Sequence, residues 1–141
     1  MKFHHTGFVV RDRNASVAFY RDVVGLTLLR EIERRGPGID QVVGYEQAHL
    51  RSALLDLGGG HALELIQYVN PPPSERLSAE RNVLGAAHVA VQVTDIQTLY
   101  DRLATGGAQV MNPPAQLAAD RLACYLQDPD GNWIELFEVI D

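Results

Sequence analysis

Apolar residues recur at alternate positions in short runs divided by turn-forming residues, which is the signature of half-buried strands. In the first half of the chain residues 26–33 and 53–57 carry this pattern, and in the second half residues 109–111 and 122–127. Two stretches read instead as helices: 15–24, containing Phe19-Tyr20, and 96–105, containing Leu99-Tyr100. Each ends near glycine, at Gly25 or at Gly106-Gly107, as helix C-termini favour. Residues 36–49 show little periodicity and read as a loop placed to cover a site.

The two halves repeat one another. His5-Thr6-Gly7-Phe8-Val9-Val10-Arg11-Asp12 aligns on His88-Val89-Ala90-Val91-Gln92-Val93-Thr94-Asp95. The run from Leu55 to Leu65, with Glu64 near its end, aligns without gaps on the run from Leu126 to Leu136, with Glu135 in the same place. In both, a strand meets a glycine-containing turn and returns as a strand bearing one glutamate between apolar residues. Gly60 and Gly131 each sit four residues before that glutamate. These alignments predict an α+β protein of two strand–helix–strands modules, 1–69 and 87–141. The Pro71-Pro72-Pro73 segment, 70–86, is the linker between them.

Composition narrows the partners. The chain has 141 residues, 46% hydrophobic and 21% charged, which suits one soluble domain over 1–141 with its own core. A net charge of −6 with no Lys/Arg-rich segment repels a phosphate backbone, so nucleic acid is not an expected partner. No apolar run approaches the roughly 20 residues of a membrane span. The apolar residues 7–10 run straight into Arg11-Asp12-Arg13, too short and too charged for a secretion signal, so a cytoplasmic location is expected. Cys124 is the lone cysteine, which excludes an intrachain disulfide and a Cys-rich metal site.

Strand alternation places His5 on the face of Gly7 and Val9, with His4 on the other. It places Glu64 with Ala62 and Ile66, His88 with Ala90 and Gln92, and Glu135 with Trp133 and Phe137. These faces are otherwise poor in charge, where an unpaired buried carboxylate costs several kcal/mol. Two histidines and two glutamates, one pair per module, resolve that cost by sharing a divalent cation such as Zn, Ni, Co, Fe or Mn. A lone strand histidine is more often simply hydrogen-bonded, and a lone strand glutamate more often faces solvent. The repeat-related placement of all four is what favours ligation.

Several pieces of the sequence resemble the vicinal oxygen chelate superfamily, which includes glyoxalase I, methylmalonyl-CoA epimerase, extradiol dioxygenases and bleomycin-resistance proteins. They are His5-Thr-Gly-Phe-Val-Val with Ser16, Phe19-Tyr20 and Gly25-Leu26; Leu63-Glu64-Leu65; Ala87-His88-Val89-Ala90; and Asp128-Pro129-Asp130-Gly131-Asn132-Trp133-Ile134-Glu135-Leu136. The resemblance implies two βαβββ modules forming a cupped, barrel-like mixed sheet around a metal held by His5, Glu64, His88 and Glu135. The His/Glu/His/Glu set is most similar to bacterial glyoxalase I, with methylmalonyl-CoA epimerase next. It implies a lyase or isomerase that removes a proton beside a metal-bound carbonyl, with Glu135 as base and Glu64 second. The alternatives are an extradiol-type dioxygenase, against which the fourth donor Glu64 argues, and a non-catalytic small-molecule or drug-binding resistance protein, in which the four positions would be apolar. A homodimer acting on a small molecule is also implied.

Tyr125, Trp133 and Gln92 are weaker candidates for substrate contact, Tyr125 being as well explained by packing beside Trp133. Arg11, Arg30, Arg34, Arg35 and Arg121 are loose candidates for an anion clamp. His61 reads as a turn residue, and Asp128 and Asp130 as solvated turn formers.

Overall fold

The chain is long enough to repeat one small architecture twice, and the computed structural model, which describes residues 2–76 and 78–140, shows that it does. It divides into two units, Met1–Glu75 and Arg76–Asp141; Met1, Leu77 and Asp141 themselves lie outside the described residues. The first unit runs β1 (His5–Val9), α1 (Arg13–Ala18) continuing into a π-helical stretch (Phe19–Val24), β2 (Thr27–Arg35), α2 (Pro37–Val43), β3 (His49–Gly58) and β4 (His61–Asn70). The second runs β5 (His88–Gln92), α3 (Ile96–Thr105), β6 (Gln109–Val110), β7 (Ala115–Ala118), β8 (Arg121–Gln127) and β9 (Trp133–Val139).

The class is α+β, and each unit holds one mixed, open sheet rather than a closed barrel. The strand orders are β1-β4-β3-β2 and β5-β9-β8-β6, with β7 also on β8. In each, the first strand lies parallel to the last, and the remaining pairs are antiparallel. Such a parallel pair needs a crossover, and the helix after the first strand lies in that connection.

Local chemistry starts and ends these elements. The aspartate seven residues after each repeat histidine caps a helix: Asp12 accepts from the Asn14 and Ala15 amides, and Asp95 from the Thr98 amide. Hydrogen bonding from Thr98 holds the Asp95 carboxyl below the ordinary aspartate range. Gly60 and Gly131, aligned in the repeat, sit at φ +81° and +84°, a region that side chains with a Cβ rarely adopt. The turn of the β-hairpin is therefore conserved between the two halves at the level of backbone conformation.

One strand parity builds the core. Phe8, Leu63, Leu65, Ala53 and Leu55 are buried in the first unit with Val17, Phe19 and Tyr20. Cys124, Leu126, Ile134 and Leu136 are buried in the second with Ile96 and Leu103 of α3. Each large side chain removed from water contributes about 1.5–3 kcal/mol. The other parity is left to carry His5, Glu64, His88 and Glu135.

Residues 36–49 are not the unstructured loop that periodicity suggested. They contain α2, begun by Pro37, whose φ suits a first turn, and ended at Gly44. Asp40 accepts from the Gln47 and Ala48 amides and ties the helix to the strand that follows. α2 buries no residue, so it has no apolar stripe to read. The four residues of β7 are likewise all exposed.

Asp128 also departs from expectation. It is 1% exposed and accepts from the amides of Asp130 and Asn132 and from Asn132 Nδ2, at 2.8–2.9 Å. It organises the β8–β9 turn from inside, where a solvated aspartate was expected. Asp128→Ala would leave these donors without their acceptor and cost about 2–3 kcal/mol. A urea unfolding midpoint equal to wild type would refute that role.

Candidate functional site

The parallel strands set each donor pair. His5 stands opposite Ala62 and Gly7 opposite Glu64; His88 stands opposite Trp133 and Ala90 opposite Glu135. In both units, then, the histidine lies on the same sheet face as the glutamate and two positions away along the neighbouring strand. His5 Nε2 is 3.2 Å from Glu64 Oε2, and His88 Nε2 is 3.1 Å from Glu135 Oε2. The imidazoles are about half exposed, 41% and 45%, while the carboxylates are largely covered, 17% and 18%. The sequence repeat is thus reproduced atom for atom.

Each His–Glu pair has the spacing of two neighbouring ligands on one divalent ion. Ligands at ~2.0–2.2 Å from one metal, at angles between octahedral and tetrahedral, stand ~3.0–3.5 Å apart. Both pairs have that spacing with the nitrogen and oxygen already facing each other. His4 Nδ1 lies 2.7 Å from His5 Nδ1, a second contact that orients the His5 ring. The donors come as one pair in each unit; among the described residues no group of three or more His, Cys, Asp or Glu gathers.

The surroundings of the two glutamates differ. Tyr125 is the register partner of Glu135, and Leu54 is that of Glu64. Burial, then the neighbouring Glu135 carboxylate, push the phenol above its ordinary pKa, with Arg81 acting the other way. Tyr125 therefore stays protonated. Its ring also meets His88 edge-on at 5.2 Å and Trp133 at 6.4 Å, so the packing reading and the polar one both apply. Trp133 is 3% exposed, and its indole N–H has no partner among the described residues.

His88, Tyr125 and Trp133 line one cavity of about 270 Å³ with Arg81, Ala86 and Ala87. Gln92 is on the same face as His88 but lines a separate hollow with Asp95, Thr98 and Arg102. Arg81 was not foreseen from the sequence: it lies in the segment 70–86, where composition signals only a linker. Its guanidinium carbon lies 5.1 Å from the Tyr125 ring centre and 5.0 Å from that of Trp133. The other histidines are used elsewhere, His49 against Glu33 at 2.7 Å and His61 against the Phe3 ring. Arg11 and Arg35 are paired with Glu75 and Glu33, and Arg121 lies over Phe137.

Behind the site, Cys124 is buried on the opposite face of β8, and burial followed by the charge of Glu135 raises its pKa to about 11. A folded pKa raised above the unfolded one gives stability that is full below about pH 8.5 and lost as pH rises through about 11. At pH 8 the native thiol should alkylate with iodoacetamide about a hundredfold more slowly than a free cysteine, and react fully once unfolded. Equal rates in native and unfolded protein would contradict this burial.

The protein-family model described as "Glyoxalase/Bleomycin resistance protein/Dioxygenase superfamily" matches residues 2–136. The uncharacterised protein YwbC of Bacillus subtilis is 31% identical over 139 residues, which cover 97% of each chain. Lactoylglutathione lyase of Pseudomonas aeruginosa is 26% identical over 153 residues, covering 96% of this chain and 81% of that one. The crystal structure of a glyoxalase family protein from Bacillus cereus has a TM-score of 0.91 at 24% identity, covering 100% of this chain and 95% of that one. With its duplicated parallel-edged sheets and matching His–Glu pairs, the chain belongs to the glyoxalase/bleomycin resistance protein/dioxygenase superfamily.

Proposed function

We propose that His5, Glu64, His88 and Glu135 hold one divalent ion, and that the protein is a lyase or isomerase that moves a proton on the carbon next to a carbonyl. The observation that carries this reading is the same His–Glu contact in both units, at 3.2 and 3.1 Å. When bound, such an ion supplies Lewis-acid polarisation of a carbonyl oxygen and offsets the negative charge that develops when the proton leaves. The relationship to a lactoylglutathione lyase supports this class of chemistry.

Glu135 is the base. Of the two glutamates it alone has a tyrosine as its register partner, Glu64 having Leu54 instead. Tyr125 stands in register beside Glu135 as a protonated phenol, placed to orient the carboxylate that takes the proton. Glu135 also belongs to the unit whose His88 lines the cavity, which gives a small substrate a place beside it. Glu64, flanked by Gly7 and Leu54, acts as a ligand. A small molecule is the substrate, and a homodimer the expected assembly.

Purified without chelators, the wild-type chain should carry about one equivalent of a transition metal by mass spectrometry, lost in Glu64→Ala and in His88→Ala. A wild type that stays metal-free after reloading with Zn, Ni, Co, Fe and Mn would overturn the reading. With hemithioacetals or acyl-CoA epimers as trial substrates, Tyr125→Phe should keep its metal and KM while kcat falls about ten-fold. An unchanged kcat would remove Tyr125 from the machinery.

A further inference from the structure

Arg76 and Ala86 are each tied within their own unit. Arg76 Nη2 donates to Asn132 Oδ1 at 3.0 Å, and the Ala86 amide donates to the Val83 carbonyl at 3.0 Å, closing a turn just before β5. Between these two points Arg81 is carried back over the sheet, with its guanidinium near the rings of both Tyr125 and Trp133. Aromatic contact holds a guanidinium plane in place while leaving its N–H groups at the edge free to donate. No carboxylate pairs with Arg81 among the described residues, although the chain carries 18 acidic residues against 12 basic ones. An arginine left without a counter-ion in so acidic a chain, at the rim of a cavity shared with His88, is placed for an anion that the protein itself does not supply.

We propose that Arg81 is the specificity-determining residue of this cavity and selects a substrate bearing an anionic group, a carboxylate or a phosphate, whose other end lies beside His88 and Glu135. The inference rests on the proposed function for the location of the chemistry, but not on the metal for the binding of the anion. The cavity, about 270 Å³, corresponds to about nine waters at ~30 Å³ each, which suits a compact acid or the anionic end of a longer molecule. Planar N–H pairs match either oxyanion in two-point geometry.

Trp133 is the only tryptophan in the chain and lies under Arg81, so tryptophan fluorescence, excited selectively over tyrosine, reports on this cavity. Chelator-stripped protein at fixed ionic strength would be titrated with lactate, with inorganic phosphate and with the neutral analogue lactamide. A saturable change is expected with lactate or with phosphate, the tighter of the two naming the group recognised, and none with lactamide. In Arg81→Gln the half-saturating concentration should rise about ten-fold or more, with the urea midpoint unchanged because Arg81 is exposed. Equal anion binding by Arg81→Gln, equal binding of lactamide, or no saturation with any probe would overturn the assignment. Because these titrations contain no metal, failure to bind metal would sink the proposed function without altering this result, and the reverse also holds.

Discussion

Everything at the candidate site depends on the parallel pairing of the first and last strands of each unit. β1 beside β4, and β5 beside β9, bring together residues 59 and 47 positions apart in sequence, His5 with Glu64 and His88 with Glu135. The pairing also sets phase. Because side chains alternate, a slip of one residue would send the histidine or the glutamate into the apolar layer beneath, where Phe8, Leu63, Ile134 and Leu136 are buried. The core therefore holds the register, and the register holds the donors.

Duplication explains the symmetry of the His–Glu pairs, and the departures from it make the surroundings of the two glutamates unequal. Both units share a capping aspartate, a positive-φ glycine before β4 or β9, and a His–Glu pair. They differ at Leu54 against Tyr125 and at Ala62 against Trp133, positions matched by strand register. The second unit thus gains an aromatic wall, a phenol in register with its glutamate and a surface on which Arg81 rests. Two equivalent carboxylates become unequal through their neighbours, the usual way one residue type takes on two roles.

The parts legible in the sequence were those written twice or written in strand parity. His5 and His88, Glu64 and Glu135, and the strands that carry them could be placed because the repeat fixed their correspondence and alternation fixed their face. Within each unit the structure brings that unit's histidine and glutamate into contact, at 3.2 and 3.1 Å. What escaped was structure that buries little or depends on partners distant in the chain. α2 and β7 present no apolar face, so periodicity had nothing to register. Asp128 looked like an ordinary turn residue, yet the turn folds around its carboxylate, because buried amide donors must find acceptors somewhere. Arg81 belongs to a segment whose composition describes only its solvation, and its contact with Tyr125 and Trp133 arises when that segment folds back.

The division of labour between strand faces has a consequence for how this architecture varies. One face is committed to packing against α1 or α3 and tolerates little change in volume. The opposite face carries donors whose removal leaves that packing untouched: the histidines are nearly half exposed, and only the glutamates are mostly covered. The side chains of that face are therefore free to diverge while the fold persists, which is why membership of the superfamily defines the scaffold but not the reaction. What the scaffold was not obliged to keep points to chemistry in this chain: two complete His–Glu pairs, a tyrosine in register with one of the glutamates, and an arginine that no carboxylate partners among the described residues.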